Sequence, residues 1–236
     1  MITLVGVGHV FDIEKQVRYL IRHSSPAAVG VELDAARYEA LKNPQGEREA
    51  PLAYRLLAMT QMRIAKQFNQ EVGREMLAAV DEGQKVQARV LFIDVEASDM
   101  FNKLWRRMPF KEKIMMLLSG FTGLIISKKR VETELQRFEE NEEQYLQLLG
   151  QEFPTVKQVL IDDRNVVMAN RILQAEQKFG SVLAVVGDGH VEGIQRILNR
   201  EDLTVVRLKD LRTMEVPEEC ISDGNCEVTI RYNVEV

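Results

Sequence analysis

Little in this chain can build a disulfide framework or a zinc knuckle, because its two cysteines, Cys220 and Cys226, both sit in a polar tail. A stapled scaffold and a repeated Cys-x-x-Cys metal site are excluded, and one local disulfide is the most this pair allows. Charge of one sign is lacking too. The net charge of −5 gives no electrostatic reason to expect nucleic acid or an anionic membrane as a partner. Long apolar runs are missing: only Met115 to Ser127 approaches one, and it is too short for a helix crossing about 30 Å of hydrocarbon. It reads as a buried core helix or as a homodimer contact, and Lys128-Lys129-Arg130 just beyond it as solvated helix surface. No charged leader precedes the strand-like Ile2-Thr3-Leu4-Val5, so a cytoplasmic protein is expected.

What is present suits a large α/β domain. At 236 residues and 45% hydrophobic content the chain can bury a proper core, and no Ser-rich, Pro-rich or low-complexity tract divides it. A single domain over 1–236 is expected. Residues 2–10 read as a strand, 12–23 as a helix with Ile13, Val17, Leu20 and Ile21 on one face, and Ala28 to Leu33 as a second strand. The order recurs near the end, with a strand at Val182 to Gly187, a helix from about Val191 to Leu198 and a strand at Thr204 to Leu208.

Between these units, Leu52 to Phe68 and Arg74 to Glu82 read as helices, with Gly83 as a cap, and Val90 to Val95 as a buried strand. Residues 97–150 read as a long helical insertion, whose later part carries an apolar stripe at Val131, Leu135, Phe138, Tyr145 and Leu149. Pro154 opens a final long helix closed by Gly180. Its apolar face runs through Val156, Val159, Leu160, Val166, Val167 and Leu173, with Asp163 near the middle and Asn170 on the same seam. A carboxylate there needs a cation, a metal ion or hydrogen-bond donors beside it. The tail from Pro217 to Val236 ends in an alternating strand-like run.

Histidine is scarce as well, and its placement is informative. Two of the three histidines end matching segments, Gly6-Val7-Gly8-His9 and Gly187-Asp188-Gly189-His190, each following an apolar strand and leading into helix. The match suggests an internal duplication. A glycine corner at the end of a buried strand projects the next side chain into the crevice where α/β sites form. Glu32, in Val31-Glu32-Leu33-Asp34, stands at the end of a strand expected to adjoin the one delivering His9. With the repeated units side by side, His9, Glu32 and His190 converge into a ligand set for a borderline divalent metal. Such a metal activates water and polarises a carbonyl. Asp163 or Asp188 can then act as general base, and Arg37 or Arg164 can bind a substrate carboxylate or stabilise an oxyanion. Plainer readings stand beside these: a surface pair of Glu32 with Arg37, and an ion-pair network around Asp163 and Arg164.

The same glycines suit nucleotide binding poorly. Gly6-x-Gly8 lacks the third glycine, Gly193 comes one residue late after Gly187-x-Gly189, and neither segment has a phosphate-binding lysine. No Ser or Cys occupies a nucleophile elbow.

At these residues the sequence resembles the TraB family, which includes bacterial PrgY pheromone-shutdown proteins and animal Tiki proteins. The supporting segments are Gly6-Val7-Gly8-His9, Val31-Glu32-Leu33-Asp34 with Arg37, Gly73-Arg74-Glu75-Met76, Asp163-Arg164-Asn165 with Met168, and Val185-Val186-Gly187-Asp188-Gly189-His190 with Gly193-Ile194. The resemblance implies an α/β fold of the erythromycin-esterase and ChaN-like type: a central, mostly parallel sheet flanked by helices, in two related halves that each present a Gly-x-x-His motif. It also implies a metal-dependent hydrolase acting on a peptide or other small substrate, since Tiki proteins are regarded as manganese- or cobalt-dependent proteases; zinc is the further candidate. Carried over, it assigns His9, Glu32 and His190 as the metal site, the three positions the strand reading also reaches; the residues themselves, not the resemblance, suggest Glu32, Asp163 and Arg164 for catalysis and Arg37 and Asp188 for the substrate. A pheromone-shutdown type of peptide-binding or regulatory protein is the non-catalytic alternative. The chain departs from the family pattern at Asp94-Val95-Glu96, where many relatives carry an Asp-Arg pair, and it lacks the C-terminal membrane span of PrgY-like members. It resembles a soluble minimal TraB domain.

Overall fold

A computed structural model gives the fold and describes residues 1–8, 11–43, 73–115 and 142–217. The elements in chain order are β1 (Ile2–Val7), α1 (Glu14–Ser24), β2 (Ala28–Val31), α2 (Ala35–Lys42), α3 (Arg74–Lys85), β3 (Arg89–Phe92) and α4 (Ala97–Arg107). There follow a helical turn at 110–115, α5 (Glu142–Glu152), α6 (Pro154–Lys157), a π-helical turn (Gln158–Asp162), α7 (Asp163–Phe179), β4 (Val182–Gly187), α8 (Asp188–Leu198), β5 (Leu203–Val206) and α9 (Leu208–Thr213).

All pairings in the sheet are parallel, in the order β3-β2-β4-β1-β5. The central strands are apolar at nearly every position, as burial on both faces requires. Successive side chains alternate between two cores. Val5, Val7, Val29, Val31, Leu183 and Val185 pack under α1, α3 and α9, while Ile2, Leu4, Val182, Ala184 and Val186 pack under α7 and α8.

The strand order revises the expected arrangement. In the unit β1–α1–β2, strand β4 lies between the two strands, and in β4–α8–β5, strand β1 does. The two crossovers therefore run in opposite directions across the sheet. Since such crossovers are right-handed, their helices must fall on opposite faces, and α1 and α8 do. The point between β1 and β4 where the connections diverge is where α/β sheets open a crevice at the carboxyl ends of their strands.

Several boundaries differ from the sequence expectations. The strands end earlier, at Val7, Val31 and Phe92, so Glu32 and Asp94 follow their strands instead of lying within them. Helix α8 begins at Asp188, so Asp188, Gly189 and His190 form its first turn. Gly83 lies inside α3, which continues to Lys85. The insertion breaks at Met108 and Pro109. The long helix from Pro154 to Phe179 ends as expected at Gly180, in the left-handed region at φ +88°, but it contains the π turn. A π turn carries extra backbone and so rotates the face that follows it. Upstream, Val159 packs with Leu104 and Met108; downstream, Asn165, Met168, Ala169, Ile172 and Ala175 turn inward, leaving Val166 and Asn170 exposed. The helix at Leu52 to Phe68, most of Met115 to Ser127, the stripe from Val131 to Phe138, both cysteines and the tail strand lie outside the described residues.

Candidate active site

At the carboxyl end of the sheet, Val7 of β1 is in register with Gly187 of β4, so the two glycine-rich segments leave the sheet side by side. Close passage of β1 against α8 requires the glycine at position 6. A Cβ there would stand 2.1 Å from Asp188 Oδ1 and 2.9 Å from Val191 Cγ2. His9 lies outside the described residues. Glu32 leaves β2, and its backbone N–H donates to Val185 O at 3.0 Å. Its strand therefore adjoins the strand that delivers His190, whereas the sequence had placed it beside the strand of His9.

The Glu32 carboxylate is 7% exposed and held from both ends. Its Oε2 accepts the Gly187 N–H at 2.6 Å, while Oε1 accepts Arg164 Nη2 and stands 3.5 Å from His190 Nε2. The histidine is oriented from behind, with Nδ1 2.7 Å from Asn165 Oδ1. A carbonyl oxygen only accepts, so Nδ1 carries a proton and Nε2 is the ring atom turned toward Glu32. Asn165 is buried against α8 at Gly193, where a Cβ would come 2.1 Å from Asn165 Nδ2. The glycine lets the amide reach the ring.

Behind Glu32 lies a second carboxylate, Asp94, whose side chain has no exposed surface. Arg164 grips it twice, Nε to Oδ1 at 2.9 Å and Nη2 to Oδ2 at 2.7 Å; Arg37 Nη2 donates to Oδ2, and the Val95 N–H to Oδ1 at 2.8 Å. Arg171 donates to the Asp94 backbone carbonyl. Arg37 also reaches Asp34 Oδ2 at 2.7 Å, and Asp34 caps α2 by accepting the Arg37 N–H at 2.8 Å. Burial disfavours the Arg164 charge, yet the Glu32 and Asp94 carboxylates outweigh it and hold its pKa above the ordinary guanidinium value. Burial likewise opposes ionisation of Asp34, but hydrogen bonds from Arg37 prevail and lower its pKa.

Three carboxylates and three arginines at the C-terminal edge of a parallel sheet, with a histidine oriented by an asparagine, form a compact polar site under the switch point. A model of the TraB/PrgY/gumN family matches residues 1–207. The chain belongs to that family. An uncharacterized protein of Methanocaldococcus jannaschii, MJ1365, is 30% identical over 213 residues, which cover 84% of this chain and 53% of that protein. The chain thus spans about half the length of this curated relative.

Within this TraB-family chain, the structure brings together Glu32, Arg164, His190 and Arg37 and places Asp163 and Asp188 elsewhere. Asp163, next to Arg164 in sequence, points to α4: Lys103 Nζ stands 2.6 Å and Arg107 Nη1 3.3 Å from its Oδ2, and Gln158 Nε2 donates to Oδ1 at 2.9 Å. Partial burial opposes its charge, but these donors win and lower its pKa. Asp188 is tied to the start of α9, accepting from Arg207 at 2.8 and 3.0 Å and from the Leu208 N–H at 2.9 Å. Arg37 pairs with Asp34 and Asp94 instead of Glu32.

Asp94 and Asn165 entered the sequence reading only within quoted segments and were given no role in the site, and Arg171 was not named. One signal was available for Asp94: Ile93-Asp94 ends an apolar strand just as Val31-Glu32 does. Arg37 and Arg164 approach this aspartate from α2 and α7. The π turn aims Arg164, whose Nη1 also donates to Leu160 O within that turn at 3.1 Å. For a metal ion, His190 Nε2 and Glu32 Oε1 are spaced suitably: two ligands about 2.1 Å from one tetrahedral ion lie about 3.4 Å apart. The Asn165 contact on the opposite ring nitrogen is the usual second partner of a ligating histidine. Among the described residues no group of three His, Cys, Asp or Glu side chains forms a metal cluster.

Proposed function

We propose that the crevice between β1 and β4 is a metal-dependent hydrolytic site for a peptide bond, with His9, Glu32 and His190 as ligands. The observation that carries this reading is the pose of His190, whose Nδ1 is engaged by Asn165 and whose Nε2 faces Glu32 Oε1 at 3.5 Å. When bound, a manganese, cobalt or zinc ion would polarise the scissile carbonyl and lower the pKa of water. The chain's own groups do the rest. Arg164 and the Gly187 N–H hold the Glu32 carboxylate in place, Asn165 holds the His190 ring, and Arg37, partly exposed, can meet a substrate carboxylate. Asp163 is engaged by Lys103 and Arg107 and supports α7 from outside the crevice. The interleaved units β1–α1–β2 and β4–α8–β5 support a reading as two related halves.

A crevice that holds a peptide without cleaving it is the second reading. It is favoured by the engagement of Glu32, both of whose oxygens already accept hydrogen bonds from the chain. Metal content decides between them. After manganese, cobalt or zinc loading, elemental analysis of the wild-type protein is expected to give about one ion per chain, lost in His9→Ala and in His190→Ala with the fold retained. Folded wild-type protein that binds no metal would sink the hydrolytic reading and leave the peptide-holding one.

A further inference from the structure

We propose that the outer face of α4 and the 110–115 turn is a docking surface for a lipid bilayer bearing anionic head groups. Large apolar side chains are concentrated there on the surface: Trp105 is 46% exposed, Phe110 77% and Ile114 41%. Phe110 and Ile114 are four residues apart on one helical face, and Lys113 Nζ lies 5.0 Å above the Trp105 ring, which joins the turn to α4.

The charges around these side chains are mostly basic, with Asp99 of α4 and Asp163, the partner of Lys103 and Arg107, as the nearby exceptions. Between positions 103 and 114 the chain carries Lys103, Arg106, Arg107, Lys111 and Lys113 against a single acid, Glu112. Glu112 is buried and faces inward, accepting the Thr155 N–H at 3.2 Å and the Thr155 hydroxyl at 2.9 Å. Lys103 and Arg107 answer Asp163, and Arg106 and Lys111 are exposed. An acidic chain has thus gathered aromatic and basic side chains on one small face, the combination that partitions into the boundary between head groups and acyl chains.

The face rests on a firm base, since Leu104 and Met108 are buried against Val159 of the π turn. Beyond Met115 the sequence stays apolar to Ser127, continues with Lys128-Lys129-Arg130 and has no acid before Glu132. No helix of the described residues is long and apolar enough to cross a membrane, and the contact proposed is a peripheral one.

Trp105 is the chain's only tryptophan, so its fluorescence reports this face alone. The experiment titrates the 236-residue chain with phosphatidylcholine vesicles with and without phosphatidylglycerol, following emission and co-sedimentation. The expected result is a blue shift and pelleting with anionic vesicles, suppressed by high salt, and weakened about tenfold or more in both Lys111→Glu/Lys113→Glu and Phe110→Ser/Ile114→Ser. The charge-reversal pair carries the test if the apolar pair disturbs folding. Absence of binding, equal binding to pure phosphatidylcholine, or binding unchanged in the charge variant would overturn the proposal. So would a blue shift that follows protein concentration without vesicles and accompanies a doubled mass, which would assign the face to a second copy of the chain.

Discussion

Asn165 illustrates how one side chain sets the chemistry of another. Its carbonyl oxygen lies 2.7 Å from His190 Nδ1, both residues are buried, and the contact exists because position 193 carries no Cβ. Replacing Asn165 by Ala leaves a buried imidazole N–H without its acceptor, a loss of about 1–3 kcal/mol. Gly193→Ala should displace the amide without altering either partner. Both variants are expected to reduce the population of the Nδ1–H tautomer of His190, read by nitrogen NMR of the imidazole, and to lower the urea midpoint. An unchanged tautomer in both would show that the ring is held by other contacts.

At the scale of elements, α1 is clamped to α3 through Glu82. This carboxylate is 1% exposed and accepts from Arg22 and, at 3.2 Å, from Arg18, both on the facing helix. Burial opposes its ionisation, but the Arg22 and Arg18 hydrogen bonds prevail and lower its pKa. A depressed carboxylate contributes stability that is present above its unfolded pKa of about 4.3 and is lost as pH falls through the lower folded value. Glu82→Gln should therefore cost about 2 kcal/mol at pH 7 and flatten the acid limb of stability, measured by urea unfolding from pH 7 downward. A parallel loss at every pH would contradict this. The apolar face of α1 was legible because 3.6-residue periodicity is a local property. The π turn was not, since its wide turn is held by contacts on both sides: Val159 toward α4 and Arg164 toward Asp94. Extending one regular seam through it put Asp163 and Asn170 inward, where the folded chain has Asn165 and Met168.

For the whole molecule, the Asp94 cluster is the junction between separately built parts. Glu32 follows β2, Arg37 lies on α2, Asp94 follows β3, Arg164 and Arg171 lie on α7, and Gly187 ends β4. Asp94→Asn leaves Arg37 and Arg164 facing a neutral group in a buried site, an expected loss of about 3–5 kcal/mol. A chemical denaturation curve should shift as a single transition, because both helical layers pack on one shared sheet. A change under 1 kcal/mol would mean that the arginines find other partners. The sequence by itself determined the strands, most helices, the family resemblance and the placement of Glu32 and His190 near strand ends, because hydrophobic period, turn residues and motif spacing are written over short stretches of chain. Only the tertiary structure decided that β4 separates β1 from β2, that Arg164 faces Glu32 while its neighbour Asp163 faces Lys103, and that Asp94 stands at the centre of the charges. Strand order and charge pairing depend on how crossovers direct distant segments past one another, and no short stretch of sequence records that.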